Sequence, residues 1–450
     1  MLDGKNNQVV TFGCRLNSYE SEAIKDAVDK SNQENLIVFN SCAVTAAAER
    51  DLRQAIRQAH KNNPQAKIIV TGCAAQIDPQ KYAKMAEVDL VLGNQEKSKV
   101  ESYLEQANHQ HSHEKISNKD QDIAHKDQIF FNQKKDSAQF LTPNETAKIK
   151  VNDIMSIKDT APQLVSYFED RTRAFLEIQN GCNHRCTFCI IPFGRGNSRS
   201  VAFGEIVMQV KKMVELGHKE VVLTGVDISG YGEDLASPIT LSQMIKRLLK
   251  LVPELPRLRL SSVDVAEMDE GIFELLANEP RFMPYLHLSV QSGDDMILKR
   301  MKRRHSRAQI LEFCAKARAI RPDMTFGADL IAGFPTETDE MFLNSLNLIS
   351  EAGLIFTHIF PYSKRDGTPA AKMPQLDGKI IKQRAKLLRE AGNLELRKFM
   401  EKQVGKKAKI IVEKNGVGKS ENFLDVVLGI DYKAGDVVDI VLSQDNLRLV

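Results

Sequence analysis

TRAFLEIQNGCNHRCTFC, residues 172–189, runs from an apolar strand-like stretch straight into three cysteines spaced Cys182-x3-Cys186-x2-Cys189. Three thiolates on one tight loop suit a cubane iron–sulfur cluster, because each reaches one iron. A fourth local cysteine is missing, which leaves one iron open to a small molecule, as a catalytic zinc site keeps an open position. The competing readings are a zinc knuckle and three reduced surface thiols. Zinc usually takes four ligands, and His184 would supply one only by crowding the same short loop, so the cluster is the favoured reading.

Downstream of this loop, strand-like runs recur at EVVLTG (220–225), RLRLSS (257–262), YLHLSVQ (285–291), MTFGADLIAG (324–333) and LIFTHIFPYS (354–363). Amphipathic stretches such as EIVMQVKKMVELG (205–217) and DEMFLNSLNLISEAG (339–353) separate them. With 172–179 as the first strand, six βα units predict a closed or partial barrel whose functional edge is the C-terminal ends of its strands.

Upstream, QVVTF (8–12), NLIVFN (35–40), KIIVTG (67–72) and VDLVLG (88–93) alternate with helix-like segments, which predicts a separate parallel α/β domain. Cys14, Cys42 and Cys73 follow the first three runs. If those strands are parallel neighbours, the three thiols emerge at one sheet edge, where open α/β folds bind ligands. They are read as a second three-thiolate cluster site, against the alternative of buried structural cysteines. The seventh cysteine, Cys314, lies in helical EFCAKARAI and reads as packing.

Residues 108–139 are polar, without period, and read as a linker; His109, His111 and His113 within it read as a solvated tract rather than a metal site. A helical segment over about 376–402 leads to short β-type runs (KKAKIIVEKNG, NFLDVVLG, DVVDIVL) that predict a small all-β barrel. The domain expectation is 1–105 for the α/β domain, 106–165 for the linker, 166–395 for the βα barrel and 396–450 for the β-barrel.

Composition sets the outer bounds. The 450 residues are 42% hydrophobic and 27% charged, with net charge +3, ordinary for a globular chain of about three domains. No apolar run approaches the roughly 18 residues of a membrane span. The N-terminus, MLDGKNNQVVTFGC, lacks a basic segment followed by a long apolar stretch, so no secretory signal is expected and the cytoplasm is the expected compartment. Seven cysteines there favour metal or catalytic use over disulfides.

The motif Cx3Cx2C after the first strand of a six-unit βα barrel resembles that of the radical S-adenosylmethionine (SAM) enzymes, and Phe188 matches their usual aromatic. TFGCRLNSYES, FNSCAVTAAAER and VTGCAAQ resemble the cysteine boxes of the methylthiotransferase family within them. LTGVDISGYG, LHLSVQSGDDMILKRMKRRHSR, GADLIAGFPTET and IFPYSKRDGTPA resemble that family's barrel. The C-terminal residues resemble a TRAM domain, a nucleic-acid-binding β-barrel. Asp227 departs from the family, where Asn is commoner. The resemblance implies two [4Fe–4S] clusters, SAM bound at the open iron of the Cys182 cluster, an electron donor such as flavodoxin or ferredoxin, and a tRNA anticodon loop as partner. It further implies hydrogen abstraction by a SAM-derived radical, sulfur from the Cys14/Cys42/Cys73 cluster and methyl from a second SAM. NSCAVT and the QSGDDMILKRMKRRHSR stretch look most like the branch acting on N6-threonylcarbamoyladenosine.

Candidate SAM contacts are Ser289, Gln291 and Ser292 after the fourth strand, Asp329, Gly333 and Pro335 around the fifth, and Tyr362, Ser363 and Arg365 at the sixth. Arg195, Arg199 and Arg365 are expected near the barrel mouth, available to a substrate carboxylate. KRMKRRHSR (299–307), including Lys302, Arg303 and Arg304, and the 377–410 stretch with 11 Lys/Arg against 4 Asp/Glu, are read as an RNA-backbone footprint. The rival readings are an isopentenyladenosine tRNA or ribosomal-protein methylthiotransferase, and a non-catalytic iron–sulfur RNA-binding protein.

Overall fold

The computed structural model describes residues 7–104, 142–158 and 172–448. The 108–139 stretch, with its three histidines, lies outside the described residues.

The N-terminal domain is a five-stranded parallel sheet in sequential order: β1 (Gln8–Thr11), β2 (Leu36–Ser41), β3 (Lys67–Gly72), β4 (Leu90–Leu92) and β5 (Ile149–Lys150). LIVFNS is buried along its whole length and KIIVTG nearly so, the pattern of strands covered on both faces. Helix α1 (Arg15–Lys30) follows β1, and α2 (Ala46–Asn62) starts where Thr45 caps the backbone N–H of Ala48. β5 places a strand of this sheet inside the expected linker, with Val91 and Leu92 paired to Ile149 and Lys150. A two-residue strand carries no period for sequence reading to detect.

All six expected barrel strands are present: β6 (Arg173–Glu177), β7 (Glu220–Thr224), β8 (Arg257–Leu260), β9 (Tyr285–Gln291), β10 (Thr325–Ala332) and β11 (Leu354–Pro361). They pair in parallel and in sequence order; the β8–β9 junction runs through the Leu258–Phe282 bridge and Ser262–Val263 beside His287 and Leu288. β6 and β11 do not pair, so the barrel is partial. The N-terminal domain bridges its open side. Tyr19 of α1 joins the barrel core, while the N-terminus of α2 reaches the β11 end through Ala46 N–H on Ser363 Oγ at 3.1 Å.

A 24-residue helix (Gly378–Glu401) leads to four antiparallel strands: β12 (Lys407–Val412), β13 (Val417–Lys419), β14 (Asp425–Val427) and β15 (Val437–Val441), ordered β14-β13-β12-β15. The chain after β15 returns to the far edge, where Leu447 bridges Val426, curling the sheet toward the expected small barrel. This module sits under the N-terminal ends of the barrel strands. Arg257 donates to Lys409 O, Arg259 to Ser420 O and Glu421 O, and Thr325 to Asn422 O. Phe423 projects from it and stacks on Tyr285, with ring centroids 4.2 Å apart. Among the described residues, no helix is long and apolar enough to cross a membrane.

Candidate active site

The parallel register aligns Thr11 with Asn40 and Asn40 with Thr71. Cys14, Cys42 and Cys73 each follow within three residues of those positions, so all three lie at one sheet edge. Gly13 (φ +102°) lets the first turn lie against the second, because a Cβ there would meet Cys42 Cβ at 2.7 Å. Cys14 is exposed, while Cys42 and Cys73 are buried. Burial, with the neighbouring Cys73 adding to it, pushes the Cys42 thiol up to about 12. Such a thiol keeps its proton until a metal displaces it.

The second triplet sits on the loop after β6. Cys182 accepts the His184 backbone N–H at 3.4 Å, and its Sγ is 3.5 Å from Asp227 Oδ2. Burial pushes Cys189 up to about 12. His184 faces two carboxylates: its Nε2 is 2.9 Å from Asp227 Oδ2 and 3.3 Å from Glu267 Oε1. These hydrogen bonds raise its pKa to about 10. Three unpaired thiols with no fourth cysteine beside them fit a cluster that keeps one iron open. Phe188 packs edge-on against Phe334 at 6.4 Å, and Phe334 against Tyr362, anchoring the loop to the ends of β10 and β11.

One arginine, six residues after Cys189, reaches the N-terminal triplet. Helix α3 (Ile191–Arg195) begins two residues after Cys189 and ends in Arg195, which is 2% exposed. Arg195 donates Nε–H to Cys73 Sγ at 3.2 Å and grips both Glu20 oxygens at 2.8 Å. Burial works against the Glu20 charge, but Arg195 and Lys97 overcome it and lower its pKa. Glu177 faces the same network. Burial, then the Glu20 charge, raise its carboxyl to about 7.

Several sequence-based site expectations change. Arg195 is not at the mouth, because Glu20 and Asn17 hold it in the domain interface. Arg199 is buried and donates to the carbonyls of Asn197 and Arg195. Arg365 pairs with Glu49 of α2. None of the three is open to a substrate carboxylate. Ser292 is 1% exposed; its hydroxyl meets Ser345 Oγ at 3.2 Å and accepts the Asp294 N–H, which makes it a strand-end turn residue. At Gly333 (φ +73°) a Cβ would strike Ile381 Cγ1 at 2.7 Å, so the close approach there is with the long helix. Asp329 lies within the barrel lumen, 3.0 Å from His287 Nε2 and 3.3 Å from His358 Nδ1. Ser289 and Gln291 fit the expectation best. They are half-buried at the end of β9, Gln291 at φ +67° after a register shift, and neither side chain has a hydrogen bond among the described residues. Cys314 is buried on a barrel helix, as expected.

The basic run at 299–307 is largely spent inside the protein. Arg303 donates to Asp264 at 2.9 Å and to Ser289 O at 2.8 Å, and lies 3.6 Å from Cys186 Sγ. Arg304 pairs with Glu267, Arg300 donates to Thr336 O, and Arg307 pairs with Glu351. Only Lys299 and Lys302 of that run are exposed and without an ion pair among the described residues. Sequence reading missed Arg303 as a site residue because a run of cations carries no mark of which member turns inward.

Comparison with known proteins bears on both triplets. The Radical SAM superfamily model matches residues 176–349, and the model described as Uncharacterized protein family UPF0004 matches residues 6–93. The chain is 52% identical over 428 residues to the threonylcarbamoyladenosine tRNA methylthiotransferase MtaB of Rickettsia prowazekii, covering 95% of this chain and 92% of that protein. The MtaB of Aquifex aeolicus is 35% identical, with 92% and 95% covered. A tRNA-2-methylthio-N(6)-dimethylallyladenosine synthase from Zymomonas mobilis is 29% identical, with 98% and 94% covered. Among solved structures, the radical SAM methyltransferase TsrM of Kitasatospora setae superposes with a TM-score of 0.52 at 11% identity, covering 82% of this chain and 74% of TsrM, a likeness of fold alone.

Proposed function

The chain belongs to the methylthiotransferase family of radical SAM enzymes, and we propose from that membership that it adds a methylthio group to C2 of N6-threonylcarbamoyladenosine at position 37 of tRNA. The observation that carries this reading is the contact of Arg195 with Cys73, which brings the Cys14/Cys42/Cys73 edge beside the Cys182/Cys186/Cys189 loop. A non-catalytic iron–sulfur sensor has no use for free polar side chains such as Ser289 and Gln291 at the strand end, which a SAM-binding enzyme needs.

Cys182, Cys186 and Cys189 would hold the SAM-binding [4Fe–4S] cluster, and Cys14, Cys42 and Cys73 a second one. When bound, these groups supply the reductive cleavage of SAM and the sulfur, with electrons from a donor such as flavodoxin or ferredoxin. The chain's own residues do the positioning. Arg303 sets a fixed positive charge against Cys186 while holding the β9 end through Ser289 O. Ser289 and Gln291 offer their unpaired hydrogen-bonding groups to SAM. Phe423, stacked on Tyr285, covers the barrel at the N-terminal ends of its strands. The partner would be a cytoplasmic tRNA, read at its unpaired anticodon loop.

Two measurements test the reading. Nucleoside mass spectrometry of tRNA from a deletion strain should show loss of the methylthio derivative and accumulation of the threonylcarbamoyl precursor; an unchanged profile counts against it. Anaerobically reconstituted protein should hold roughly eight irons, and the Cys14/Cys42/Cys73→Ala variant roughly four. Full iron in that variant would return the N-terminal triplet to a structural role.

A further inference from the structure

Among the described residues, four cations surround the Phe423 ring beneath the barrel: Arg15 at 5.8 Å, Arg173 at 5.6 Å, Arg259 at 5.3 Å and Lys419 at 4.3 Å. Three have carboxylate partners. Arg173 pairs with Glu413 at 2.6 Å, Arg259 with Glu220 at 2.8 Å, and Lys419 with Asp425 at 2.5 Å. Arg15 has neither an ion pair nor a hydrogen bond among the described residues. It follows Cys14 directly, at the first position of α1, and reaches from the N-terminal domain through the barrel's open side. Its charge faces Tyr285, Arg173, Asp329 and Arg259. The one acid in that set, Asp329, is already shared by His287 and His358.

A half-buried guanidinium without a paired anion is costly, and its five donors match a carboxylate in a bidentate fork. We propose that Arg15 is the specificity residue that binds the carboxylate of the substrate's N6 substituent, an inference that rests on the threonylcarbamoyl reading above. His358, 56% exposed and 3.3 Å from Asp329, offers a second polar contact for the substituent. The arrangement assigns the two ends of the modified base to two places. C2 lies up between the cysteine triplets, and the amino-acid tail extends down toward Arg15. An isopentenyl chain would leave the half-buried guanidinium unpaired, which is the larger part of the discrimination.

The test uses the reconstituted full-length enzyme and two synthetic anticodon stem-loops, one bearing the free-acid threonylcarbamoyl group and the other its methyl ester. Wild-type enzyme should prefer the acid in kcat/KM by roughly 30-fold or more. Arg15→Gln, matched to wild type in iron per chain, should bring that preference toward unity, and Arg15→Lys should restore part of it. A wild-type preference near unity, or a wild-type preference retained in Arg15→Gln, would overturn the assignment while leaving the substrate reading intact. A wild-type enzyme inactive on both RNAs would instead overturn the substrate reading, and this inference with it.

Discussion

Arg195 Nε lies 3.2 Å from Cys73 Sγ, although 122 residues separate them and they belong to different domains. The same guanidinium closes a bidentate pair with Glu20, itself 1% exposed and also held by Lys97 at 2.7 Å. Six residues run from Cys189 to Arg195, so this side chain fixes the spacing of the cysteine loop against the N-terminal edge.

Removing that arginine leaves Glu20 with one cation and a vacancy in the interface. Arg195→Ala should destabilise the metal-free protein by about 3–5 kcal/mol, the range for breaking a buried pair. Arg195→Lys should recover only part, because an ammonium cannot span two carboxylate oxygens and a thiol. Denaturant unfolding measures both. A loss under about 1 kcal/mol for the alanine variant would mean the interface holds without this network.

Glu177 gives the interface a pH dependence. Its pKa is raised from an ordinary 4.5 to about 7, so the folded chain binds this proton more tightly than the unfolded one. The stability it contributes is present below about pH 4.5 and is lost as pH rises toward about 7. Glu177→Gln should therefore flatten the fall in melting temperature across that window and raise it most at pH 8. An unchanged pH profile in the variant would show that Glu177 ionises as freely in the folded chain as in the unfolded one.

How much of this was legible in the sequence follows from what periodicity can carry. Thiols placed just past three successive buried strands declare a shared edge, because parallel strands in sequence order align their ends. The Cx3Cx2C loop and the six βα units were equally readable. Arg195 and Glu20 are 175 residues apart and follow no period, so neither could be matched to the other. Ser292 and Gly333 stand at the expected strand ends, but their partners, Ser345 and Ile381, lie on helices whose packing angle no local pattern encodes.

The split within the 299–307 run leads to separable variants. Lys302 is exposed, whereas Arg303 touches Asp264, Ser289 and Cys186. Lys302→Glu should weaken tRNA binding and reduce its salt slope by about 1, the signature of one lost phosphate contact. Arg303→Ala should instead impair SAM cleavage measured without tRNA. Filter binding over a salt series and a SAM-cleavage assay distinguish them. Impaired SAM cleavage in Lys302→Glu, or normal cleavage in Arg303→Ala, would contradict the assignment of Arg303 to the cluster site.

Methylthiolation of two purified tRNAs by the reconstituted enzyme tests the reaction on threonylcarbamoyladenosine most directly. One carries N6-threonylcarbamoyladenosine at position 37 and the other N6-isopentenyladenosine. The expected result is a methylthio product, detected by nucleoside mass spectrometry, on the first tRNA and not on the second. Product on the isopentenyl tRNA with none on the threonylcarbamoyl tRNA would contradict the account.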